Sequence, residues 1–122
     1  TEQGHSVTDV GTHSPDSVDY PDFAHPVAES VESLASEKGI LICGSGNGVC
    51  ITANKHAGVR AALCWNQELA ALARQHNDAN VLSIGVRFVG EEDTINAVDL
   101  FLNTEFSNEE RHSRRINAID SK

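Results

Sequence analysis

Residues 39–55, GILICGSGNGVCITANK, constrain the fold more than any other part of the sequence. Gly39–Cys43 is an apolar run of strand length between turn-prone flanks, which predicts a buried parallel strand. Glycine then alternates with small polar residues, and such a loop lets backbone N–H groups approach a ligand closely. A helix is expected directly after it. The unit is therefore either a structural tight turn or an anion-binding loop, and its glycine spacing matches neither a dinucleotide fingerprint nor a Walker loop.

Apolar runs alternate with amphipathic segments along the rest of the chain, which predicts an α/β fold with a parallel sheet. A polar loop is expected over His13–Asp19. Further strands are predicted over His5–Val10, Gly58–Trp65 and Asn80–Gly85. A first helix is predicted to follow Tyr20 and to end at residues 37–39, with Leu34 the last residue of its apolar face. Further helices are predicted over Cys50–His56, from an N-cap at Asn66 to Gln75, over Glu91–Asn103, and after a cap at Asn108. Parallel sheets bind ligands at the carboxyl ends of their strands. Cys43, the glycine loop, Trp65 with Asn66, and residues 85–87 up to Arg87 are expected there.

Length and composition exclude several classes of protein. The 122 residues support a single domain spanning the whole sequence, 1–122. A net charge of −9 argues against a nucleic-acid partner, and the absence of a long apolar run argues against a membrane span. The three cysteines are odd in number and lack zinc-like spacing, which favours reduced thiols in a cytoplasmic compartment. The six histidines are scattered, so no metal site is predicted.

Seven short segments, in order along the chain, carry a family resemblance. They are DVGT at 9–12, DYP at 19–21, LICGSGNG at 41–48, ANK at 53–55, RAA at 60–62, RQHNDANV at 74–81 and RHSRR at 111–115. Together they resemble the ribose-5-phosphate isomerase B family, which includes the galactose-6-phosphate isomerase subunits. The resemblance implies a three-layer, flavodoxin- or Rossmann-like sandwich with five parallel strands in the order 2-1-3-4-5. It also implies a homodimer, or a dimer of dimers, with shared active sites.

The start of the chain departs from this family pattern. The chain contains no methionine and opens on Thr1–Gly4, which reads as the end of a helix. The family's opening strand, which lies in the middle of the sheet, and its first helix are absent from the sequence. We therefore expect an N-terminally incomplete domain. On its own it should fold poorly, because two strands would lose their hydrogen-bonding neighbour.

The family activity that the resemblance implies is a cofactor-independent interconversion of ribose 5-phosphate and ribulose 5-phosphate in the pentose phosphate pathway. A proton moves between C1 and C2 through a cis-enediolate. Cys43 matches the family's catalytic base, although a free cysteine is otherwise usually a core residue. His76 is expected to open the sugar ring, unless it only caps a helix. Ser45 either relays a proton or caps the turn. Cys50 is expected to be a supporting or packing residue, and Cys64 a core residue.

The remaining site residues are expected to bind substrate. Backbone N–H groups of Gly44, Gly46, Asn47 and Gly48 would hold the enediolate oxygen. Asn77 would contact a sugar hydroxyl or the enediolate, or else cap its helix, and Tyr20 would line the sugar pocket or pack beside Pro21. The phosphate anchor is predicted from guanidinium groups, which grip phosphate oxygens in pairs. Its members are Arg87, Arg111 and Arg115, with a smaller role for His112. The alternative is that these arginines are surface charges or pair with Glu109 and Glu110, and this alternative suits Arg114 best.

Three other functions are compatible with parts of this pattern. The substrate of the same reaction could be a six-carbon sugar phosphate, either allose 6-phosphate or galactose 6-phosphate, the latter requiring a second, different subunit. A non-catalytic sugar-phosphate-binding module would keep the arginines but exchange no proton. A flavodoxin-like nucleotide binder fits poorly, because one Trp and one Tyr offer little aromatic surface for a flavin.

Overall fold

The computed structural model of the protein describes residues 4–11 and 18–121. Helices and strands alternate within this part of the chain and confirm the α/β class. In chain order they are α1 (Pro21–Glu32), β1 (Gly39–Cys43), α2 (Asn47–Ala53), β2 (Ala61–Leu63), α3 (Gln67–Asn77), β3 (Val81–Gly85), α4 (Glu91–Asn103) and α5 (Glu110–Asp120). Within the described ranges, every helix is too short or too polar to span a bilayer.

The described strands form one parallel sheet in the order β1-β3-β2. β3 pairs with β1 on one side, from Gly39↔Val81 to Cys43↔Gly85, and with β2 on the other. The flavodoxin-like order, which places the last strand at an edge, is therefore wrong. All five residues of β3 are buried, whereas β2 has only three, half-buried residues. The strand with two covered faces takes the centre of a parallel sheet, and the short one takes the edge.

Side chains of β3 alternate between two layers of helices, which gives the predicted three-layer sandwich. Leu82 and Ile84 face α3 and α4, where the fully buried Phe101 completes one core cluster. Val81 faces the other way and packs with residues of α1 and α2. The central strand β3 is thus covered on both faces, whereas Ile42 of β1 stays 58% exposed.

Two strand predictions do not hold as stated. Residues 5–10 form no strand, and Val7 is exposed; no described strand lies beside them, and an extended segment needs a partner for its backbone groups. The predicted strand Gly58–Trp65 shrinks to β2, because Gly58 has a φ of +78° and Val59 still donates its N–H to the carbonyl of His56 in a turn. The expected helix end at 1–3 and most of the loop His13–Asp19 lie outside the described residues.

The helix α4 has its predicted bounds, Glu91–Asn103, and the predicted cap of α3 is also observed. Asn66 caps α3 as expected, since its Oδ1 accepts a hydrogen bond of 2.9 Å from the N–H of Leu69. The helix α1 ends at Glu32, so Leu34 is not part of its apolar face; its φ is +66° and its side chain is 85% exposed. The cap of α5 is Glu109, because Asn108 takes a φ of +61° in the preceding turn.

Candidate active site

Cys43 ends β1 at the carboxyl edge of the sheet. Its carbonyl oxygen accepts a hydrogen bond of 2.8 Å from the N–H of Val86, so the strand pairing continues to this residue. The side chain is half-buried and packs against the core under α1 and α2. The predicted base therefore lies at the rim of the sheet, in the position where parallel sheets bind ligands.

The glycine loop after Cys43 is pressed against the ends of the neighbouring strands. Gly46 has a φ of +80°, and a Cβ on it would lie 2.8 Å from Leu63 Cδ1 and 3.0 Å from the backbone N of Gly85. Its carbonyl accepts a buried hydrogen bond of 2.7 Å from Ser83 Oγ. Steric space and backbone angle both require glycine at this position. The loop is therefore a tight turn.

The same turn leaves backbone donors free for a ligand. Within the described part of the chain, the N–H groups of Gly44, Ser45 and Gly46 donate to no acceptor. The helix α2 begins at Asn47 rather than Cys50 and has only seven residues, so the loop itself supplies the donors. Ser45 Oγ accepts a hydrogen bond of 3.3 Å from the N–H of Asn47, which caps the turn and leaves the hydroxyl proton available.

Two further predicted residues lie against this loop. The phenol of Tyr20 packs on Gly48, where a Cβ would lie 2.6 Å from both its Cε1 and its Oη. The guanidinium of Arg87 packs on Gly44, with its Nε 3.0 Å from the position of a Cβ there. Arg87 also donates its backbone N–H to the carbonyl of Gly44 at 3.1 Å. The structure thus gathers a thiol, free N–H donors, a phenol and a guanidinium at one edge of the sheet.

An exposed aromatic pair lies beside the loop; Trp65 was expected at this end of the sheet but not as a site residue, and Phe88 was missed. Trp65 and Phe88 are 70% and 81% exposed and border a cavity of about 360 Å³ that also touches Ser45 and Asn47. The two residues follow β2 and β3, but no periodic pattern marks them. The signal available was their place just after the strands, at the edge where the site lies.

The predicted ring-opening residue lies at the opposite edge of the sheet. His76 and Asn77 end α3, immediately before β3 begins, whereas Cys43 ends β1. Five residues of strand separate the two edges by about 13 Å at roughly 3.3 Å per residue. Asn77 is the last helical residue, and the C-cap is Asp78 with a φ of +45°. A single chain therefore does not bring Cys43 and His76 together.

His76 is instead the neighbour of His112, with their ring centroids 4.4 Å apart. His112 is 4% exposed, and its Nδ1 lies 3.1 Å from Ser107 Oγ and 3.7 Å from Glu109 Oε2. Burial is the main cause that lowers its pKa below the ordinary 6.5, and the charges of His76 and Arg111 lower it further. A buried imidazole with a lowered pKa thus packs against the exposed ring of His76.

The predicted phosphate-binding arginines divide between the two edges. Arg87 lies at the glycine loop, whereas Arg111 and Arg115 are exposed on α5 beside His112, whose pKa both of them lower. Arg111 makes a loose contact of 3.8 Å with Glu109. Arg114 is paired with Glu110 at 2.8 Å, as the surface-charge alternative expected for it. Two guanidinium groups on one helical face therefore remain open to a ligand.

The two other cysteines have the surroundings of packing residues. Cys50 Sγ donates to the carbonyl of Ala61 at 3.5 Å, and burial raises the pKa of its thiol. Cys64 is 2% exposed, and burial raises the pKa of its thiol to about 11. No group of three or more metal-binding side chains converges within residues 4–11 and 18–121.

Comparison with known proteins gives one consistent family. A family model described as Ribose/Galactose Isomerase matches residues 1–119. Ribose-5-phosphate isomerase B of Escherichia coli is 46% identical over 118 residues, which cover 97% of this chain and 78% of that protein.

Solved structures of such enzymes superpose closely on this chain. Ribose-5-phosphate isomerase B of Clostridium thermocellum matches with a TM-score of 0.95 and 47% identity, covering 98% of this chain and 80% of that one. The Mycoplasma genitalium enzyme, determined with bound ribulose-5-phosphate, matches with a TM-score of 0.93, 47% identity and the same coverage.

Proposed function

Because the chain belongs to the ribose/galactose isomerase family, we propose that it interconverts ribose 5-phosphate and ribulose 5-phosphate. The observation that carries this proposal is the position of Cys43, at the rim of the sheet and directly before a loop with free N–H donors. Proton transfer next to a carbonyl needs a base and donors for the oxygen that becomes negative. Both lie within a few residues of each other here.

The proposed reaction begins with opening of the furanose ring. His76 gives a proton to the ring oxygen as the bond from that oxygen to C1 breaks, and water takes the proton of the C1 hydroxyl as the aldehyde forms. The exposed imidazole suits this step, because histidine is the side chain that most often serves as a general acid. Arg111 and Arg115, four residues apart on α5, would hold the phosphate close to it.

Isomerisation then needs one base that removes and returns a proton. The Cys43 thiolate takes the proton from C2, and the electron pair forms the C1–C2 double bond and leaves O1 negative. Loop N–H groups stabilise this enediolate, and Ser45 carries the O2 proton to O1. The thiol finally protonates C1, which gives the ketone and restores the thiolate. The free donors of Gly44 and Gly46 would lower the barrier by roughly 3 kcal/mol each if they behave like other oxyanion-hole donors.

The separation of Cys43 from His76 supports a dimer with shared active sites. Two copies related by a two-fold axis would place the His76 edge of one copy against the Cys43 edge of the other. The exposed aromatic pair, Trp65 and Phe88, lies beside the loop at the surface where that second copy would dock. Since Trp65 is the single tryptophan of the chain, its fluorescence should shift when the dimer is diluted.

The reaction is tested by proton exchange at the substrate carbon. Wild-type protein in deuterated water should convert ribose 5-phosphate to ribulose 5-phosphate and place deuterium on the carbon that accepts the proton. Cys43→Ala should lose at least about 10³-fold in kcat with little change in substrate binding, because the base acts only in the transition state. Cys50→Ala is the matched control and should keep its activity. Phosphate binding without any exchange would show a non-catalytic binding module instead.

The same assay decides the length of the sugar. Ribose 5-phosphate and allose 6-phosphate are compared by kcat/KM on one preparation. We expect a preference for the five-carbon substrate. A preference for the six-carbon substrate would show that ribose 5-phosphate is not the main substrate. The proposal places the enzyme in the cytoplasm and in the pentose phosphate pathway, with the unpaired cysteines as support for a reducing compartment.

A further inference from the structure

Arg74 is a buried arginine that the proposed mechanism does not use. Its side chain is only 8% exposed, and its guanidinium lies over the ring of Phe101 at 5.9 Å from the ring centroid. A buried charge is costly unless it is fully hydrogen-bonded, and its removal then leaves several groups without partners. The partners of Arg74 therefore indicate what the residue holds in place.

One group of partners fixes the end of α3. Arg74 Nη1 donates to Asp78 Oδ1 at 2.8 Å and to the carbonyl of Ala79 at 2.6 Å. Asp78 is the C-cap of α3 and has a φ of +45°, a conformation that side chains other than glycine adopt reluctantly. Arg74 thus stabilises the strained residue that directly follows His76 and Asn77.

The other partner fixes the segment that leads to α5. Arg74 Nε donates to the carbonyl of Thr104 at 3.0 Å, just after α4 ends. Three residues later, Ser107 donates its backbone N–H to the carbonyl of Gln75, and its hydroxyl contacts His112 Nδ1. The loop that Arg74 holds therefore carries the group that orients His112 against His76.

From these contacts we propose that Arg74 is a positioning residue for ring opening. It ties the end of α3 to the loop before α5 and so sets the place of the His76 imidazole. Arg74 donates to backbone carbonyls of both segments, so its effect passes through the geometry of the backbone that carries His76. The inference rests on the proposed function, because it assigns Arg74 to one step of that reaction.

Two substrates separate ring opening from proton transfer. Ribose 5-phosphate is cyclic and must be opened before the base can act. Ribulose 5-phosphate cannot close a five-membered ring, because its C5 oxygen carries the phosphate. Exchange of its C1 proton in deuterated water therefore needs Cys43 but not the ring-opening step. The ratio of ribose 5-phosphate turnover to ribulose 5-phosphate exchange reports on His76, and it is independent of the fraction of enzyme that is folded.

The experiment compares this ratio in full-length wild type, His76→Ala and Arg74→Met. We expect a fall of about 10²-fold for Arg74→Met, in the direction that His76→Ala sets, since misplacing a catalytic group by about 1 Å costs this much. Arg74→Lys should give a ratio between those of wild type and Arg74→Met, because one ammonium group cannot reach Thr104 and Asp78 together. Arg114→Met, which removes an exposed arginine paired with Glu110, should keep the wild-type ratio.

A second variant keeps the test decisive if Arg74→Met does not fold. Asp78→Gly removes the carboxylate that holds Nη1 and tolerates the positive φ, and it should lower the ratio about three- to tenfold. An unchanged ratio in the folded Arg74 and Asp78 variants, or equal losses with both substrates, would overturn the positioning role. A wild type that neither isomerises nor exchanges would instead overturn the proposed function.

Discussion

The substitution Gly46→Ala tests whether the loop geometry is required. Gly46 has a φ of +80°, and its missing Cβ would lie 2.8 Å from Leu63 Cδ1 and 3.0 Å from both Gly85 N and Ile84 C. The left-handed backbone costs alanine about 1–2 kcal/mol. Overpacking against backbone atoms adds about 1–3 kcal/mol. Alanine also restricts the unfolded chain, which returns about 0.4–1 kcal/mol. We therefore expect a net loss of about 2–4 kcal/mol.

Two other glycines separate the components of this loss. Gly58 has a φ of +78° with no atom within 4 Å of its Cβ position, so Gly58→Ala should cost only the backbone part, about 0.5–1 kcal/mol net. Gly90 has a φ of −64° and equally open space, and Gly90→Ala should lie within about 0.5 kcal/mol of wild type. The expected order of stability is therefore Gly90→Ala above Gly58→Ala, and Gly58→Ala above Gly46→Ala.

Urea unfolding at one fixed protein concentration measures all three variants. With a slope of about 2 kcal/mol per molar, the Gly46→Ala midpoint should fall by about 1–2 M. The concentration is held constant because assembly contributes to apparent stability. Equal losses for Gly46→Ala and Gly58→Ala would show instead that the loop is not packed against the ends of β2 and β3.

Three further predictions concern pH, thiol reactivity and the phenol at the loop. His112 has a lowered pKa in the folded state, so as the pH falls the unfolded state binds a proton at this residue before the folded state does. The free energy of unfolding should therefore fall as the pH drops below about 6.5, and this pH dependence should be weaker in His112→Asn. Iodoacetamide at pH 8 should label Cys43 in the native protein before Cys64, which is buried with a pKa of about 11; faster labelling of Cys64 would contradict the burial. Gly48→Ala should displace the ring of Tyr20 and raise KM. Tyr20→Ala in the same chain should relieve the steric conflict, so the two substitutions should be non-additive in the urea midpoints of the single and double variants.

Local patterns predicted the parts of the structure that depend on neighbouring residues. The strand Gly39–Cys43 was predicted with its observed bounds, because a short apolar run between turn residues favours a buried strand. The cap at Asn66 was predicted because an amide oxygen satisfies the first N–H groups of a helix whatever packs around it. The position of Cys43 at the carboxyl end of this strand followed from the same local pattern.

Strand neighbours and element ends depend on residues far apart in the chain. The order β1-β3-β2 puts two strands side by side that are separated by α2, β2 and α3, and no local pattern encodes that choice. Residues 5–10 alternate like a strand but have no described neighbour to pair with. The positive φ of Gly46 let α2 begin three residues earlier than the helical pattern suggested.

The separation of Cys43 from His76 was open to prediction from topology. A residue at the end of a helix that leads into a parallel strand lies at the opposite edge from a residue at the end of a strand. Chain order alone therefore places the two groups apart. The contacts of Arg74 were not open to prediction in this way, because three carbonyl and carboxylate partners come from two different loops.

Complementation between two inactive variants decides whether Cys43 and His76 of different chains form one active site. Cys43→Ala and His76→Ala proteins are mixed, unfolded and refolded together. In a heterodimer, one site receives Cys43 from one chain and His76 from the other, so random assembly should restore about a quarter of wild-type activity. A mixture of Cys43→Ala with the double variant should restore none. If the first mixture also stays inactive while the wild type refolds with full activity, the shared site formed by Cys43 and His76 is contradicted.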